Sequence, residues 1–143
     1  TVLIHDVGML PEVDLLLKHY THTAYRTVPD IMARVLDTKA ILEENAYPTE
    51  KGHFTVRVED KYDSVRGVYR VAYENGVGEV EQLSDEADFD LSAPVAAFTR
   101  MVYGYDAYNA YLASFMDGVQ VNNDAVDFFR AFPKRMNGLF EHF

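Results

Sequence analysis

The 143-residue chain has no cysteine and no tryptophan, and only five prolines and eight glycines. Without a thiol there is no disulfide and no thiolate zinc site, so a packed core must supply the stability, and nothing in the composition argues for secretion. Long apolar runs are also lacking. Stretches such as Leu15-Leu16-Leu17 fall far short of the roughly 20 residues that cross a bilayer, and no basic flank precedes an apolar signal region. Basic side chains are scarce: 13 against 23 acidic, a formal net charge of −10. That balance opposes the counterion-releasing contacts made with phosphate backbones and anionic lipid surfaces. Neither nucleic-acid binding nor a membrane partner is expected, and the cytoplasm is the plainest location.

Aromatic side chains, in contrast, are plentiful. Ten tyrosines and nine phenylalanines make up 13% of the chain. Helix-spaced aromatics pack against a sheet by default, so an aromatic-rich core is the first reading and a lined hydrophobic pocket the second. A chain of this length suits one domain.

Taken in order, residues 1–5 form a β-branched run compatible with a strand, and residues 11–20 read as a helix with Val13, Leu16, Leu17 and Tyr20 on one side. His19 and His22 are three apart, a spacing open to metal ligation but more often that of surface histidines near a helix end. Residues 30–36 alternate Ile31, Ala33 and Val35 against Met32, Arg34 and Leu36, a strand pattern, and Asp37 can cap a short helix to Asn45 before Pro48. The cleanest alternation places Phe54, Val56 and Val58 on one face and Thr55, Arg57 and Glu59 on the other. Residues 67–74 and 77–83 flank Asn75-Gly76, the pair best suited to a two-residue hairpin turn.

The chain is organised around residues 87–105. Phe89 and Leu91 alternate with Asp88, Asp90 and Ser92 as a half-buried strand, Ser92 is placed to cap a helix with Pro94 in its first turn, and Val95, Phe98, Met101 and Val102 share a helical face ending at Gly104. Asp106 can cap a helix over 107–116 with Tyr108, Tyr111, Leu112 and Phe115 as an aromatic face. Residues 119–121 read as extended and 124–131 as a last helix before Pro133, and the tail carries Met136, Leu139, Phe140 and Phe143. The sum is an α+β chain with about five mainly antiparallel strands covered by helices.

The run Asp-Leu-Ser-Ala-Pro-Val-Ala-Ala-Phe-Thr-Arg-Met-Val-Tyr-Gly-Tyr, residues 90–105, resembles the strand, helix and Phe-Gly-Tyr-like ending of the C-terminal, sterol-carrier-like domain of Eis-type (enhanced intracellular survival) GNAT N-acetyltransferases. Residues 30–37 are similar to that domain's opening strand, 52–60 to its second, and 112–133 to its closing helical segment ending in Phe132-Pro133. The likeness covers residues 27–143 and leaves residues 1–26 as an N-terminal arm or the remnant of a preceding acetyltransferase region. It implies a sterol-carrier-protein-like fold and a structural and assembly role within an acetyl-CoA-dependent N-acetyltransferase acting on amines. It also implies partners in the acetyltransferase domains of the same polypeptide, and further copies of itself as an oligomer. In such enzymes the final residue is often a phenylalanine whose free carboxylate serves as general base. The resemblance therefore assigns that role to Phe143, the catalytic candidate of this chain.

The chain itself carries little of that chemistry. An acetyl-CoA loop needs a glycine-bearing turn whose amides cradle pyrophosphate at a helix start. Gly76-Val77-Gly78 is the only close glycine pair, and it belongs to the hairpin. No cofactor site is therefore expected in this chain, acetyl-CoA being the cofactor of the full-length enzyme, and the chain alone is expected to be inactive. There is no Gly-x-Ser-x-Gly elbow, no His-Glu-x-x-His and no Walker loop. The carboxylate pairs Glu43/Glu44, Glu79/Glu81 and Asp88/Asp90 are expected on wet faces. A free-standing, sterol-carrier-like module for a hydrophobic ligand is the alternative.

Overall fold

The structure, a computed structural model, describes residues 33–104 and 107–134. Its centre is β1 (Gly52–Glu59), where the period-2 pattern has the expected result: Gly52, Phe54, Val56 and Val58 are buried, while His53 and Glu59 are exposed and Thr55 and Arg57 half-buried. β1 pairs antiparallel with β2 (Gly67–Glu74), and β2 with β3 (Val77–Leu83). Asn75 (φ 53°) and Gly76 (φ 86°) form the turn between β2 and β3, both in the left-handed region that a two-residue hairpin of this hand requires.

On its other side β1 meets β4 (Leu91–Pro94), which runs parallel to it, and β4 pairs antiparallel with the two-residue β5 (Gln120–Val121). The order is β3-β2-β1-β4-β5. The sheet is therefore mixed. The expectation of mainly antiparallel strands missed the parallel pair, which arises because the chain crosses from β3 past β2 and β1 before β4 begins.

The five strands are also not the five expected. Residues 33–36 are irregular, and residues 30–32 lie outside the described residues. β5, from the segment read as extended, occupies the fifth place. Ser92 is not a helix cap but a strand residue opposite Arg57, and Pro94, opposite Glu59, ends the strand and stands at the N-cap of the next helix. A proline at a strand end forfeits little of the ladder, and its lack of an N–H costs the helix nothing.

The helices lie on the face of Phe54 and Val56. α1 (Thr38–Glu43) starts at Asp37, whose carboxylate accepts from the Ala40 amide at 2.9 Å, as its sequence indicates. α2 (Val95–Val102) buries Phe98, Met101 and Val102, with Val95 half-buried against the same core, and the amides of Tyr103 and Gly104 return to Thr99 and Met101 to close it. α3 is a single turn (Ala110–Ala113). A 3₁₀ turn (Asn123–Ala125) leads into α4 (Val126–Ala131), whose Phe128 meets Phe54 edge-on with ring centroids 5.2 Å apart. Phe132 and Phe98 close the aromatic core around Phe128. The readings for residues 1–26, including His19 and His22, for Asp106 and for the tail from residue 135 lie outside the described residues.

Candidate functional site

A cleft of about 560 Å³ lies between α2 and the α3 turn. Ala96, Ala97 and Arg100 of α2 form one wall, and Leu112, Phe115, Met116 and Asp117 the other, with Pro94 and Ala107 at the base. Two alanines where α2 faces α3 leave room a larger side chain would fill. Asn109 caps α3 by accepting from the Leu112 amide at 2.9 Å.

Because α3 is only four residues long, the helical face drawn over 107–116 does not form. Tyr111 and Phe115 turn outward, 71% and 69% exposed, and pack edge to face on each other at 4.9 Å. Ala113 takes the buried position instead. The cleft is thus flanked by aromatic surface and carries one charge of each sign, Arg100 and Asp117.

On the opposite face of the sheet, Arg57 holds the crossover into β4. Its Nη2 donates to the carbonyls of Asp85 and Ala87, both at 3.0 Å, and its guanidinium lies 4.4 Å from the centre of the Phe89 ring. Nothing in the strand pattern singles out Arg57 from Arg70. Asp90, expected on a wet face, instead accepts from the Thr55 amide at 2.7 Å while its own amide donates to the Thr55 carbonyl. Glu81 is paired with Arg70 at 3.3 Å.

A second polar junction centres on Asp127, which accepts from the His53 amide and from Arg130, each at 3.0 Å. The Tyr73 hydroxyl donates to the Asp127 carbonyl at 3.2 Å, and burial followed by the Asp127 charge raises the Tyr73 phenol above its usual range. This junction joins the start of β1 to α4, so its carboxylate is occupied with structural donors. Tyr47, stacked on Tyr73 at 5.1 Å and donating to the Leu42 carbonyl at 2.6 Å, is pushed up further, chiefly by burial. No group of three or more acidic or histidine side chains among the described residues is arranged to hold a metal ion.

The described residues do not fit a pyrophosphate cradle either. The helices start after Asp37, Pro94, Asn109 and Ala125, none a glycine turn, and Gly76 and Gly78 are held in the hairpin against Tyr47. Phe143 lies outside the described residues. No helix among the described residues is long and apolar enough to cross a membrane.

These features define an α+β class: a five-stranded mixed sheet with helices packed on one face. No protein-family model and no curated protein matches the chain. Solved structures do share the fold. A conserved protein from Enterococcus faecalis V583, described as a probable N-acyltransferase, aligns with 77% of this chain at a TM-score of 0.64 and 23% identity. GCN5-related N-acetyltransferases from Anabaena variabilis ATCC 29413 (74% of this chain, TM-score 0.55, 16% identity) and Kribbella flavida (71%, 0.53, 20%) are also similar. The match covers 28%, 26% and 26% of those three chains, respectively. At such identities the likeness is one of fold.

Proposed function

We propose that this chain is the C-terminal, sterol-carrier-like domain of an Eis-type, acetyl-CoA-dependent N-acetyltransferase acting on amines, with a structural and assembly role. The observation that carries the reading is the asymmetry of coverage. The shared fold accounts for 71–77% of this chain but 26–28% of chains named as N-acetyltransferases or a probable N-acyltransferase. In this reading another part of the polypeptide holds acetyl-CoA. Its partners in this reading are those acetyltransferase domains and further copies of itself, in the cytoplasm.

The transferase must take a proton from an ammonium before the nitrogen attacks the thioester, and this reading gives that task to the α-carboxylate of Phe143. With an unperturbed pKa of about 3.3–3.7, a terminal carboxylate is ionised at neutral pH. Calorimetry on the 143-residue chain is expected to show no acetyl-CoA binding tighter than about micromolar, about −8 kcal/mol. In the polypeptide that includes the acetyltransferase region, thiol release from acetyl-CoA with a polyamine acceptor is the assay. Deleting Phe143, or extending the chain beyond it, is expected to lower turnover at least about 10²-fold, the low end of general-base contributions. Tight acetyl-CoA binding by this chain alone would overturn the domain assignment, and unchanged turnover in both variants would remove Phe143 from the mechanism.

The cleft favours a second reading, a carrier of a hydrophobic ligand. Its volume of about 560 Å³ is within the roughly 300–1,000 Å³ of small-molecule sites, and Leu112, Phe115 and Met116 supply apolar lining. Tight calorimetric binding of a sterol would favour this reading over the first.

A further inference from the structure

β3 is the end strand of the sheet, and among the described residues no strand pairs with its outer edge. Its seven residues pair with β2 in an unbroken one-to-one register, Val68↔Leu83 to Glu74↔Val77, with no bulge and no proline, and no lysine interrupts the edge. Because the two-residue turn closes on the Glu74–Val77 pair, ladder alternation directs the N–H and C=O of Gly78, Val80 and Gln82 away from β2. Among the described residues these groups have no backbone partner on the outer side. The opposite edge is different in kind, since β5 is only two residues long.

Charge decides which strand can fill this edge. Glu79 and Glu81 stand on the solvent face of β3, the Glu81 side chain 65% exposed although ion-paired with Arg70 of β2, and Val77 beside them is 69% exposed. A second copy pairing antiparallel about Val80 would set Glu79 opposite Glu81 on both sides, and like charges directly opposite are destabilising. An incoming strand with basic residues two apart places each against one of these carboxylates, with an apolar residue between them opposite Val80.

We infer that β3 is a docking edge for an extended segment of a partner protein in which basic residues alternate with small or apolar ones. Main-chain bonds to Gly78, Val80 and Gln82 supply the attachment, and Glu79 and Glu81 select for positive charge and against self-pairing. The inference stands independently of the acetyltransferase reading.

The test uses the 143-residue chain and the synthetic peptide Lys-Thr-Lys-Val-Lys-Thr-Lys, blocked at both ends, with Glu-Thr-Glu-Val-Glu-Thr-Glu as control. Nuclear magnetic resonance is expected to place the shift changes on β3. With the basic peptide at about ten times its dissociation constant, exchange of the Gly78, Val80 and Gln82 amides slows about tenfold by mass action. Gln82→Pro, which removes an outward N–H and leaves the β2 ladder intact, is expected to abolish the protection. Glu79→Lys is expected to weaken the basic peptide and admit the acidic one, a reversal that a merely misfolded variant would not show. Equal binding of both peptides, protection elsewhere with β3 unchanged, or concentration-dependent self-association abolished by Gln82→Pro would each overturn the proposal.

Discussion

Tyr47 lies flat against Gly78: a Cβ added to that glycine would come within 2.3 Å of Tyr47 Cε2 and 2.8 Å of its Cδ2. The clash is with a buried ring, 6% exposed and stacked on Tyr73, that cannot swing aside. Gly78→Ala is therefore expected to cost about 1–3 kcal/mol, the usual range for overpacking, read as a lower midpoint in urea at unchanged slope. Tyr47→Leu in the same chain should restore part of the loss, giving a non-additive double-mutant cycle.

Tyr47, Tyr69 and Tyr73 all have phenols raised above the ordinary value, each chiefly by burial. Below about pH 10 both folded and unfolded chains keep these protons, so no pH dependence arises from them. Above it the unfolded chain loses protons first. Stability then falls as pH rises, by up to about 1.4 kcal/mol per pH unit for each such tyrosine until its folded value is reached. Urea titrations at pH 9, 10 and 11 check this. Tyr47→Phe should flatten the alkaline slope even though it forfeits the bond to the Leu42 carbonyl at neutral pH.

Phe98 is fully buried on α2, beside Phe128 at 6.4 Å between ring centroids. Phe98→Ala is expected to cost about 3–5 kcal/mol, because neighbouring rings on the sheet and α4 cannot collapse into the space. Equilibrium denaturation measures it, and a loss near zero would mean that α2 does not pack on the core.

Arg57 carries the crossover through two carbonyls and the face of Phe89. Replacing it by Gln keeps a donor but loses the charge, the reach and the ring contact. The expected outcome is local: cleavage by limited proteolysis within residues 84–90, with a global loss of about 1–3 kcal/mol, the size of one hydrogen-bonded charged group. Arg57→Lys should not restore the wild-type pattern, since an ammonium lacks the planar guanidinium that stacks on a ring.

Several elements were legible before the fold was known because their cause is local. The Asn75-Gly76 turn rests on which residues tolerate positive φ, the faces of β1 on period-2 alternation, the start of α1 on the Asp37 side chain, and the buried face of α2 on the spacing of Phe98, Met101 and Val102. Other features were decided only in three dimensions. Ser92 carries the chemistry of a helix cap, but Arg57 lies across from it in a parallel ladder, so Ser92 is a strand residue. Tyr111 and Phe115 share helical spacing, but only one turn of helix forms, so they flank a cleft instead of filling the core. Arg57 and Arg70 lie on the same face of the sheet, and the crossover held by Arg57 makes it a clamp. The place of β3 at the end of the sheet likewise depends on what lies beside the strand. The physical reason is the same throughout: propensity, capping and turn chemistry act over a few bonds of chain, whereas strand partnership, burial and the concavities between elements are set by groups distant in sequence.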